Sequence, residues 1–168
     1  MISALSKFLK KTVKRANDEQ LVNKPVKLPD KLSELGAEKK ERLEELVILG
    51  ILLNTVAHAD QVLDPAEEKA IQRILATRGK ITKEETGLVI AAAHESADAR
   101  PDIQGFTREI NKKPYEERLR VIELLFDVAF ADSKLDIVEI EQIRQISGLL
   151  WVTHKDFINA KIKAKKSK

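Results

Sequence analysis

The chain of 168 residues contains no cysteine, which removes thiolate catalysis, disulfide frameworks and Cys-ligated zinc or iron–sulfur sites together. Aromatic residues make up only 4%, thin for a β-sandwich and for a platform that stacks nucleic-acid bases. No apolar run is long enough for a bilayer: the most apolar, Leu46 to Leu53, stops at Asn54, well short of roughly 20 residues. Met1–Lys11 has Lys7 and Lys10 among its apolar residues, so it lacks the continuous core of a signal peptide. Glycine-rich phosphate loops, H-E-x-x-H and G-x-S-x-G are missing as well, and no other catalytic constellation replaces them. The expectation is a cytoplasmic protein without enzymatic activity.

What is present suits one helical domain, with 43% hydrophobic and 34% charged residues. A chain of this length can bury roughly 68–70% of its unfolded surface, so the fold needs no metal or disulfide to hold it. The net charge of +3 conceals a partition. Residues 1–16 carry +5 and residues 155–168 another +5, leaving −7 for the stretch between. Two basic arms flank an acidic core.

Apolar residues recur at helical spacing throughout and no segment alternates as a half-buried strand does, so the class is all-α. Ile2, Leu5, Phe8, Leu9 and Val13 share one face of a helix over 3–16 whose other face is basic, an amphipathic pattern. Pro25 and Pro29 mark 17–30 as a linker, placing the boundary of a compact domain near Lys31. After Gly36 a helix is predicted over 37–59, apolar nearly all round from Leu46 to Leu53, as the central helix of a bundle would be. Further helices are predicted at 65–77, 82–96, 103–112, 114–131, 137–150 and 154–165. Asp64-Pro65-Ala66-Glu67 and Thr82-Lys83-Glu84-Glu85 read as capping boxes, Thr153 as an N-cap and Pro114 as a first helical residue. The domain division that follows is 1–30 for the basic helix and linker, 31–163 for the bundle and 164–168 for a basic tail.

An internal repeat organises the bundle. Residues 52–60 (LLNTVAHAD) align with 124–132 (LLFDVAFAD) at an offset of 72, the distance from Asp60 to Asp132. Leu63, Asp64, Glu67, Ile71 and Ile74 then fall on Leu135, Asp136, Glu139, Ile143 and Ile146. Each copy is a buried helix ending in Ala-x-Ala-Asp, a short bend, and a capped helix with Glu in its first turn. Two pseudo-equivalent helical hairpins result. The second Asp of each copy has a structural explanation as an N-cap. Asp60 and Asp132 do not, since a helix C-terminus disfavours an anion by roughly 0.3–1 kcal/mol. Bend amides, a basic neighbour, or a cation shared with Glu67 or Glu139 are the available compensations.

At these residues the sequence resembles the tellurite-resistance TerB-like family, an all-helical fold found alone in bacterial proteins and near the membrane in some J-domain co-chaperones. The resemblance covers roughly residues 31–163. It is carried by the two repeat bends, by Phe106-Thr107-Arg108-Glu109-Ile110, by Glu116-Glu117-Arg118 and by Ile143-Arg144. It implies a non-enzymatic module of bacterial stress response whose acidic residues bind a divalent cation, here Asp60, Glu67, Asp132 and Glu139. The family usually has Gly directly after each bend Asp, where this chain has Gln61 and Ser133.

All-oxygen ligation would select Ca²⁺, Mg²⁺ or Mn²⁺. EF-hand spacing is absent, so a site would be assembled across the repeats. The same four carboxylates also suit helix caps and ion pairs. His58, matched by Phe130 in the second copy, reads as a partly buried packing residue, and His94 and His154 share no ligand-like spacing. The arms offer a different working part: the basic segment 1–16, with its amphipathic helix over 3–16, suits an anionic membrane surface, such as the inner membrane, or a protein partner. Nucleic acid is disfavoured by the acidic core.

Overall fold

Among the described residues the computed structural model has seven α-helices and no strand: α1 Ala37–Ala57, α2 Pro65–Gly79, α3 Lys83–Asp98, α4 Ile103–Asn111, α5 Tyr115–Ala129, α6 Ile137–Leu149 and α7 His154–Lys166. The structure describes residues 36–59, 63–98, 102–131 and 136–167. The expected helix over 3–16, the linker, and the bend residues Asp60, Gln61, Asp132 and Ser133 lie outside the described residues.

The all-round apolar run does what its pattern predicts. Residues 46–54 of α1 are buried on every side, and α2, α3, α5 and α6 all pack against this helix. Asn54 is the polar exception, only 2% exposed, and its side-chain amide donates to the Gly50 carbonyl at 2.8 Å, which offsets the desolvation it suffers. Gly50 serves the packing in another way. A Cβ there would stand 3.1 Å from the Ala93 methyl, so its absence lets α1 and α3 approach closely. In the second half α5 buries Val121, Ile122, Leu124, Leu125, Phe126, Val128 and Ala129. Each large side chain so buried contributes about 1.5–3 kcal/mol before conformational entropy is subtracted.

The hairpin repeat extends to a third helix. As α3 returns onto α1, α7 returns onto α5. Thr82 and Thr153 are both N-caps, with Oγ1 accepting from Glu85 N and Asp156 N at 3.2 Å. Thr86, Val89 and Ala93 are buried on α3 where Phe157, Ala160 and Ala164 are buried on α7, now at an offset of 71 (82 to 153). The later copy is therefore one residue shorter, and the loss falls within its second helix, because the offset is already 71 between Ala76 and Ser147, whose carbonyls take the closing bonds. α4 joins the two triplets and packs on α5 and α6.

Both second helices close in the same way. The Ile81 amide reaches the Ala76 carbonyl at 3.4 Å and the Val152 amide reaches Ser147 at 3.0 Å, the six-to-one bond of a Schellman end. The residues just before them, Lys80 and Trp151, take the left-handed conformation. The last carbonyls of α6 are capped from outside: Asn111 Nδ2 donates to Leu149 O at 2.8 Å, and Arg118 Nη1 to Leu150 O at 3.0 Å.

Two sequence expectations need correction. Pro114 is the N-cap of α5, with ψ 158° and no side-chain cap bond, so Tyr115 is the first helical residue. His58 is exposed, because α1 ends at Ala57 and the chain turns there.

Candidate functional site at the two helix bends

The residues leading into the bends are closely matched. Ala57 and Ala129 are fully buried, Ala59 and Ala131 half-buried, and the caps that follow repeat atom for atom. Asp64 Oδ1 accepts from Ala66 N at 2.7 Å while Asp64 N donates to Glu67 Oε2 at 3.0 Å. In the second copy Asp136 Oδ1 accepts from Val138 N at 2.6 Å and Asp136 N donates to Glu139 Oε2 at 3.2 Å. Both arrangements are complete capping boxes, each worth about 1 kcal/mol through its Asp. Glu67 and Glu139 are each only 3% exposed, an unusual depth for a first-turn glutamate.

Of the four sequence-predicted ligands, the structure thus places Glu67 and Glu139, one beside each bend, with one oxygen of each carboxylate on the cap amide of its own hairpin. Asp60 and Asp132 lie outside the described residues. Among the described residues no group of three or more His, Asp or Glu could hold a metal. What can be read is therefore two equivalent capped helix starts, each with a buried carboxylate.

Other charged groups are engaged elsewhere. Burial pushes the Glu123 carboxyl up, but hydrogen bonds from Lys163 and Arg120 outweigh it and leave it below the usual range. Tyr115 donates to Asp156 Oδ2 at 2.6 Å, and that bond, with one from Thr153, lowers the Asp156 carboxyl. An open cleft of about 760 Å³ lies where α1 faces α4 and α5. Leu46, Ile48, Leu49, Ile110 and Val121 contribute its apolar lining, and Lys113–Glu45 and Arg78–Glu117 ion pairs stand on its walls. The hydrogen bond to Glu45 raises the Lys113 ammonium above its ordinary value.

Sequence reasoning missed two features. Arg118 is one of the residues carrying the family resemblance, yet its work as a cap for α6 depends on which helix lies opposite. His94 meets His58, with ring centroids 6.5 Å apart and the rings nearly perpendicular. The two are 36 positions apart (58 and 94), and no local signal links them.

Among the described residues no helix is long and apolar enough to cross a membrane. No curated protein and no solved structure gives a match to the chain. Residues 47–162 match the family described as Tellurite resistance protein TerB, a span that runs from the middle of α1 into α7 and includes the capping boxes at Asp64 and Asp136; the chain belongs to the TerB family.

Proposed function

We propose that this TerB-family chain is a non-enzymatic module of bacterial stress response, of the tellurite-resistance type, that binds a divalent cation at its two bends. The observation that carries this reading is the recurrence of a deeply buried glutamate, Glu67 and Glu139, at the same place beside both bends. Paired with Asp60 or Asp132, each glutamate would give a bound cation two oxygen ligands from its own bend. Oxygen donors select Ca²⁺, Mg²⁺ or Mn²⁺. The test is thermal unfolding of the full chain with Ca²⁺ or Mn²⁺. A hundredfold excess over the dissociation constant adds about 2.7 kcal/mol, a rise of roughly 5–10 °C for a domain of this size. Asp60→Asn combined with Asp132→Asn should abolish the rise. No shift with any divalent ion at millimolar concentration reduces the four acids to caps and ion pairs.

A second reading is a metal-free adaptor working through the basic arms, and one observation favours it. α7 buries Phe157, Ala160 and Ala164 against the bundle, while Ile162 stands 46% exposed with the exposed Lys155, Lys165 and Lys166 beside it at helical spacing. This outward face combines apolar and basic groups, as a face resting on an anionic membrane does.

A further inference from the structure

We propose that His58 and His94 form a surface site for a transition-metal cation of the Cu²⁺, Ni²⁺ or Zn²⁺ class, separate in chemistry from the acidic bends. Imidazole nitrogen suits these ions, whereas Ca²⁺ and Mg²⁺ prefer oxygen. With a metal–nitrogen distance of about 2.0–2.1 Å, two imidazoles on one ion place their ring centroids about 5 Å apart. The observed centroid distance is 6.5 Å. The difference is within the reach of side-chain rotation, since His58 is exposed and His94 only half-buried.

Three features of the surroundings support a cation here. The two histidines stand on different helices whose approach is set by Gly50 against Ala93, the residue next to His94, so their backbones are held by the core. His58 is the C-cap of α1, where the negative end of the helix dipole favours positive charge. The corresponding residue of the second copy is Phe130, 8% exposed and packed in the core, so an exposed histidine is not what the repeat needs for packing. The described residues bring no third carboxylate or imidazole to the pair. Among the described residues the site has two protein ligands, His58 and His94, with water completing the shell, and Cu²⁺ should bind best by the general order of affinities.

The proposal is independent of the cation reading of the bends, and the experiment keeps them apart. Cu²⁺ and Ni²⁺ are titrated into the full chain by calorimetry at about pH 7.5 and about pH 5.5, with millimolar Ca²⁺ present or absent. With Ca²⁺ present to occupy the bends, one site is expected to persist at undiminished affinity and to weaken at the lower pH, because an imidazole ligates only when neutral. His58→Ala and His94→Ala should each lower the affinity roughly tenfold or more, while His154→Ala and Asp132→Asn leave it unchanged. Metal-free melting of each variant, with His58→Gln and His94→Gln as closer replacements, confirms that the fold is retained. Wild-type Cu²⁺ and Ni²⁺ affinity in both alanine variants would overturn the site and leave the two rings as an edge-to-face packing pair. Displacement of Ni²⁺ by Ca²⁺ would also overturn it, by assigning the ion to the carboxylates.

Discussion

Lys80 and Trp151 hold the same left-handed backbone conformation, with φ 48° and 53°, at corresponding turns of two helical triplets 71 positions apart. Neither is glycine, the residue that accepts this conformation without steric cost. The one-residue shortening of the later copy falls just before this turn, between the matched isoleucines Ile74 and Ile146 and the left-handed pair. The turn geometry is thus kept while the helix ahead of it changes length. The third helix of each triplet leaves from this point, so the αL residue sets its direction.

Lys80→Gly should accordingly stabilise the domain by about 0.5–1 kcal/mol, because relief of αL strain of roughly 1–2 kcal/mol exceeds the added entropy of the unfolded chain. Trp151→Gly should act in the same direction, since the indole is 73% exposed and little burial is lost. Urea denaturation measures both. A loss of stability in each variant would show that the side chains, rather than the backbone, hold the turn.

The N-caps are expected to act without any metal. Asp64→Ala and Asp136→Ala should each cost roughly 0.5–2 kcal/mol, equally with and without chelator. If the cost disappears in chelator, both aspartates must be redrawn as ligands.

Asp127 introduces a pH dependence. Burial pushes its carboxyl above the usual range; Arg120 opposes this, Glu123 adds to it, and Arg73 and Lys163 oppose it. A carboxyl whose folded pKa is raised binds its proton more tightly in the native state, so stability falls as pH rises from the ordinary value of 3.8 through the folded one. The penalty is fully present at neutral pH. Asp127→Asn should therefore raise the melting temperature at about pH 7, with the gain shrinking towards zero near pH 3. A gain that is constant with pH would trace the effect to packing and not to the charge.

The adaptor reading makes its own demand on residues 1–16. Each basic residue close to an anionic surface contributes about 1 kcal/mol, screened beyond roughly 8 Å at physiological salt. The full chain should sediment with anionic vesicles at low salt and release as salt rises. A chain beginning at Lys31 should bind less, and Phe8→Asp should weaken binding with no change in melting temperature. A drop of several degrees in that variant would place Phe8 in the packing of the bundle and remove the membrane reading.

Much of this protein was legible along the chain because the relevant physics is local. Helical spacing of apolar residues, Asp64 with Glu67, Thr82 with Glu85 and Thr153 each act within a turn of backbone, so seven helices and most of their caps follow from the sequence. The hairpin repeat could be read because identical residues sit at one offset. The third helix of each triplet was hidden: Thr86 and Val89 occupy the places of Phe157 and Ala160, and a missing residue breaks the register. Only which face lies against which helix reveals that equivalence. The same holds at single residues. Glu67 and Glu139 were chosen from sequence as caps or ligands, and packing decided that both are buried. Tertiary contact alone decided that Arg118 caps α6, that Asp127 is half-buried among charges, and that His58 turns outward to meet His94. Distance in space, and the dielectric that packing creates around a charge, are not written in any local pattern of residues.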